Sequence, residues 1–113
     1  MVDECHGRSL NAGWYHDPKT GQPIDRNVGE MLALIHSEVS EALEGYRKNL
    51  RDTHLCDRPM IEVELADTII RILDLAGHLK LDIGQAYARK LAYNAQRADH
   101  SLAARAAENG KAF

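Results

Sequence analysis

Residues 31–50 read MLALIHSEVSEALEGYRKNL, and residues 60–80 read MIEVELADTIIRILDLAGHLK. In the first stretch Met31, Leu32, Ile35, Val39, Ala42, Leu43, Tyr46 and Leu50 recur at helical spacing and predict one apolar face. Asn27 with Glu30 three residues on fits a capping box, so this helix is predicted from near Asn27 to about Leu50. The second stretch is apolar around most of its circumference, through Ile61, Val63, Leu65, Ala66, Ile69, Ile70, Ile72, Leu73, Leu75 and Leu79. It is predicted to be a mostly buried helix from about Met60 to Lys80. Pro59 suits its first turn, where the N–H that proline lacks has no partner anyway.

Working outward, Asp82 with Gln85 forms another capping-box pattern and opens a third long helix, to about Ala98. Upstream, Val2 to about Ala12 reads as a short helix ending at Gly13. The segment from Trp14 to Pro23, rich in Pro and Gly, reads as an ordered loop carrying the only tryptophan. Residues 51–59 form a polar connector, and residues 101–113 an Ala-rich polar tail, either a helical extension or flexible. No period-two alternation bounded by turns predicts a strand, so the expected fold is an all-α bundle.

The 113 residues allow one domain, 1–113, at the small end of what buries a core, and an oligomer burying more surface fits that size. Hydrophobic residues make up 44% and aromatics only 5%, so aliphatic side chains must fill the interior. The net charge of −3 excludes the basic footprint of a nucleic-acid-binding domain. It also means that a polyanionic ligand needs a metal or a local basic patch. Cys5 and Cys56 are too few for a disulfide framework or a Cys-based zinc site, and both read as free thiols in a reducing compartment. The first ten residues contain no apolar signal region, and no apolar run approaches the roughly 20 residues of a membrane span. A soluble, cytoplasmic protein with no membrane partner is expected.

Two spacings carry chemistry. Glu38 and Glu41 are three apart on one predicted helix, and Glu64 and Asp67 are three apart on the next. Residues at i and i+3 share a face, so each pair can aim at one spot, and antiparallel neighbours bring the pairs together. Hard cations such as Mg²⁺ take oxygen ligands of this kind. With Glu38 set at zero on a helical wheel, Met31 falls at roughly 20° and Leu34 at roughly −40°. Glu38 therefore interrupts the buried arc, Glu41 lies at its border, and Glu44 falls among Ser37, Ser40 and Arg47 on the polar side. In the second helix Glu64, Asp67, Arg71, Asp74 and His78 collect in one narrow stripe. Two explanations of that stripe stand side by side. It is the solvent face of an otherwise buried helix, or its carboxylates are buried and compensated by a shared metal.

Together, Glu38-Val-Ser-Glu41 and Glu64-Leu-Ala-Asp67 resemble the ExxE…ExxD signature of the MazG-like all-α nucleoside triphosphate pyrophosphohydrolases. The surroundings, LIHSEVSEALEGYRK and EVELADTIIRILDLA, resemble that family's two metal helices. Further on, Lys90, Asn94 and Arg97 resemble its basic KxxxNxxR segment, and share one face at i, i+4, i+7 spacing. The closing Asn109-Gly110-Lys111-Ala112-Phe113 departs from the family's HGKxF-like tail, because an Ala-rich insert displaces it. The resemblance covers about residues 10–100. It implies four-helix-bundle packing completed by oligomerisation as a homodimer or homotetramer. It also implies Mg²⁺-dependent hydrolysis, with Mn²⁺ as a substitute, of a nucleoside triphosphate to the monophosphate and pyrophosphate.

In that scheme Glu38, Glu41, Glu64 and Asp67 hold the metal, and Glu38 or Glu41 orients or deprotonates the attacking water. Lys90 and Arg97 stabilise the leaving pyrophosphate, and Asn94 hydrogen-bonds phosphate or sugar. Trp14 is either a wall or lid for the base, or a loop tryptophan packed on the bundle edge. Three competitors remain. A related enzyme on the same scaffold would act on dUTP or phosphoribosyl-ATP. A di-iron carboxylate bundle needs Glu-x-x-His, which does not occur here. A non-catalytic helical module would dimerise through the Met60–Lys80 helix and ignore Mg²⁺.

Overall fold

The computed structural model describes residues 1–97. The predicted helix end at Ala98 and the tail 101–113, Lys111 included, lie outside the described residues. Four α-helices are present: α1 (Val2–Asn11), α2 (Val28–Lys48), α3 (Met60–His78) and α4 (Ile83–Gln96). Among the described residues there is no strand, only isolated bridges between His16 and Pro23 and between Arg51 and Pro59. The expected all-α class is borne out. Residues Met1–Leu81, with α1 to α3, form one compact unit. A second unit begins at Asp82 and holds α4.

The helix ends follow local chemistry. The Asn27 side chain accepts a hydrogen bond from the Glu30 N–H at 3.0 Å and opens α2. Helix α2 stops short of Leu50 because Asn49 turns into the left-handed region at φ 53, a conformation asparagine tolerates. Pro59 stands one residue earlier than expected, as the extended N-cap of α3 rather than inside its first turn. Helix α3 ends at His78 rather than Lys80, and Lys80 itself lies at φ 56. Asp82 caps α4 by accepting from the Gln85 N–H at 3.0 Å. Gly13, just past α1, takes φ 86, which an L side chain resists.

Helix α3 packs against both α1 and α2. Two glycines make those approaches close: a Cβ on Gly77 would collide with the His6 side chain, and one on Gly45 with Met60. The core of this unit is small. Tyr15, Met31 and Leu75 are buried together, with Val28 and Ile35 packed against them.

The apolar faces predicted from periodicity are buried only in part. On α2, Met31 and Ala42 of the predicted face are buried with Glu38 and Gly45, and Ile35 packs on the core, while Leu32, Val39, Leu43 and Tyr46 are exposed, as is Leu50 just past the helix. On α3, Leu65, Ile69, Ile70, Ile72 and Leu79 are exposed, Ile69 by 51%, and the buried residues are Glu64, Thr68, Leu75 and Ala76. The expectation of a mostly buried α3 is therefore corrected for the single chain. The physical reason is that α1 and α2 both dock on its polar side. The solvent-face explanation of the stripe falls for the same reason: Glu64 is 8% exposed, and Asp67, Arg71, Asp74 and His78 are all partly buried.

Candidate functional site

Helix α2 presents Glu38 and Glu41 one turn apart, and α3 presents Glu64 across from them. One carboxylate oxygen from each of Glu38, Glu41 and Glu64 lies within 4.8 Å of the others. Glu38 is 9% exposed and Glu41 is open to solvent, in keeping with the wheel positions in α2. Asp67, one turn further along α3, stands beside this tight group rather than inside it. Its carboxyl is raised by burial and then by the charge of Glu38, against the opposing charge of Arg71.

Like charges held this closely cannot all ionise freely. Burial pushes the Glu38 carboxyl up, but hydrogen bonds with Glu64 and Arg71 outweigh it and hold Glu38 below its ordinary value. The proton then belongs to Glu64, pushed up to about 8 by its hydrogen bond with Glu38, by burial, and by the charges of Glu41 and Glu38. Glu64 Oε2 is nevertheless buried without a hydrogen-bond partner. A buried carboxyl oxygen without a partner is costly, and a divalent cation held by the three acids would displace the Glu64 proton and satisfy it. The donor set, oxygen only and contributed by two helices, fits a hard cation such as Mg²⁺.

Sequence reasoning placed Arg71 in the polar stripe but gave it no partner. Its Nε donates to Glu38 Oε1 at 2.8 Å. The spacing between Glu38 and Arg71 carries no local signal, since only the docking of α2 on α3 joins them. A second network was also missed. Tyr15 Oη donates to Asp74 Oδ1 at 3.0 Å, and His6 Nδ1 bonds the same oxygen at 3.0 Å. The Tyr15 ring meets the His78 ring at 4.9 Å and the His6 ring edge-on at 5.2 Å.

Between α1, the Trp14 loop and α3 lies a cavity of about 800 Å³, reaching Glu38 and Asp67 as well as Trp14, Arg26, Arg71 and Asp74. That size suits a small organic ligand. Trp14 is 65% exposed on its wall. The Trp14 carbonyl accepts from Arg26 Nη1 at 3.1 Å, and the Arg26 guanidinium stands 5.6 Å from the centre of the Tyr15 ring.

In the second unit, Lys90 lies midway along α4, Asn94 in its last turn and Arg97 just past its end. Lys90 and Arg97 both approach the Tyr93 ring, at 4.7 Å and 5.8 Å from its centre, and Asn94 Oδ1 is buried without a hydrogen-bond partner. Cys5 and Cys56 are free thiols. Among the described residues no helix is long and apolar enough to cross a membrane. No family model, curated protein or solved structure matches this chain.

Proposed function

We propose that this chain is a Mg²⁺-dependent nucleoside triphosphate pyrophosphohydrolase of the MazG-like kind. The observation that carries the proposal is the partnerless Glu64 oxygen within the Glu38, Glu41 and Glu64 group, beside a cavity large enough for a nucleotide. Glu38, Glu41 and Glu64 hold the cation, with Asp67 completing the set from the next turn of α3. Bound there, Mg²⁺ supplies polarisation of phosphate oxygens and acidification of a coordinated water, with Mn²⁺ as a substitute.

The chain's own residues do the rest. Glu41, the most exposed acid of the group, is the best-placed base for the attacking water. Arg71 compensates the charge on Glu38 and stands at the cavity, where a triphosphate oxygen would compete for it. The products are a nucleoside monophosphate and pyrophosphate.

Self-association belongs to the same proposal. Leu43, Leu65, Ile69 and Ile72 are about half exposed, and each would gain roughly 1 kcal/mol on full burial. A homodimer or homotetramer covers them.

The deciding experiment incubates the protein with each common ribo- and deoxyribonucleoside triphosphate and Mg²⁺, and separates products by ion exchange, with Glu38→Gln and Glu64→Gln in parallel. Monophosphate plus pyrophosphate, lost in both variants, is the expected result. Diphosphate plus orthophosphate overturns the reaction class. No turnover together with no Mg²⁺ effect on thermal stability leaves a non-catalytic helical dimerisation module as the better account.

A further inference from the structure

The cavity has a second polar group whose arrangement the metal chemistry does not use. Asp74 lines it and lies seven residues beyond Asp67 on α3, roughly 10 Å along the helix. Its side chain is 15% exposed. Two donors, Tyr15 Oη and His6 Nδ1, converge on one oxygen, Oδ1. A carboxylate only accepts, so this bond puts the imidazole proton on Nδ1. The Tyr15 phenol is raised well above its ordinary value, by burial first and then by Asp74, so it keeps its proton and stays a donor. Among the described residues both side-chain hydrogen bonds to Asp74 end on Oδ1 and none on Oδ2. Asp74 is thus clamped through one oxygen and offers the other as an acceptor to whatever fills the cavity.

The spacing suits a nucleotide lying along α3. Phosphates at the Glu38 and Asp67 end would put the base two helical turns on, within reach of Asp74 and of the Trp14 ring for stacking. We infer that Asp74 selects the base: the cavity takes nucleotides whose base carries an exocyclic amino group, and disfavours uracil and thymine. An amino group donates to Oδ2. Uracil presents a carbonyl oxygen where cytosine presents its amino group, so two acceptors would face each other. The inference rests on the nucleotide reading of the site and names its base class.

The only tryptophan of the chain stands on the cavity wall, so its fluorescence reports binding there without catalysis. The full-length protein is titrated with CMP and with UMP. The expected result is a Kd for CMP at least ~10-fold below that for UMP. In Asp74→Asn the new amide can donate to the uracil carbonyl, and the ratio is expected to collapse toward unity. Tyr15→Phe keeps the carboxylate and is expected to keep the preference for CMP, which covers the case in which Asp74→Asn does not fold. Equal affinities in the wild type, no binding of either nucleotide, a folded Asp74→Asn with the wild-type ratio, or a folded Tyr15→Phe without the preference each overturn the inference. Hydrolysis is scored separately with CTP and UTP. A CMP preference without CTP hydrolysis removes the catalytic proposal and leaves base selection standing. Hydrolysis of both with equal CMP and UMP affinities does the reverse.

Discussion

Arg71 Nε on α3 donates to Glu38 Oε1 on α2 at 2.8 Å, so the most constrained acid of the cluster has a cationic partner within the chain itself. Arg71 is 42% exposed at its side chain and Glu38 11%, so the bond runs from a half-open guanidinium into a nearly closed carboxylate. Removing the donor leaves a buried acceptor with like-charged neighbours. Arg71→Gln is expected to lower metal-free stability by about 1–3 kcal/mol. Mg²⁺ is expected to stabilise this variant more than the wild type, because the cation takes over the compensation. Thermal unfolding with and without Mg²⁺ measures both, and an equal Mg²⁺ effect on the two proteins would sink the account.

The Glu64 carboxyl makes stability depend on pH in a defined direction. Its folded value of about 8 lies above its ordinary 4.5, so the folded state binds the extra proton. The stability this contributes is fully present below about 4.5 and is lost as pH rises through about 8. The metal-free protein is expected to melt progressively lower across that window, and Glu64→Gln to flatten the slope. Mg²⁺ displaces the proton, so its stabilising effect should grow with pH. A Mg²⁺ effect independent of pH would contradict this assignment of the proton.

Gly77 is the point where α1 rests on α3, and a Cβ there meets the His6 side chain. Gly77→Ala is expected to cost about 1–3 kcal/mol by overpacking. More specifically, it should push His6 off Asp74 and loosen α1. Amide hydrogen exchange separates the two effects: α1 should lose protection while the α2–α3 pair keeps it. Uniform loss of protection would mean that α1 is not separately docked.

Ile69 is 51% exposed on the face of α3 away from the glutamates. Ile69→Lys is expected to abolish self-association, measured by sedimentation velocity, while leaving Mg²⁺ binding to the folded chain intact. A wild-type protein that is monomeric at all concentrations would remove the oligomer from the proposal.

The helices were legible along the chain because their signals are local. Asn27 with Glu30 and Asp82 with Gln85 announce two helix starts, and each cap is made by the side chain that sequence named. Glu38 stood out because its wheel position interrupts an apolar arc, and it is buried. What sequence could not decide was which side of α3 its neighbours would cover. Periodicity reports that a helix has an apolar side, not what docks on it. In this chain α1 and α2 cover the polar stripe, leaving Leu65, Ile69 and Ile72 open. The same docking, across 33 residues for Glu38 and Arg71 and 68 for His6 and Asp74, builds contacts that no spacing rule encodes. Local hydrogen bonding and the 3.6-residue period are written in the sequence; the pairing of faces depends on close approaches such as those at Gly45 and Gly77, and only the tertiary structure decides it.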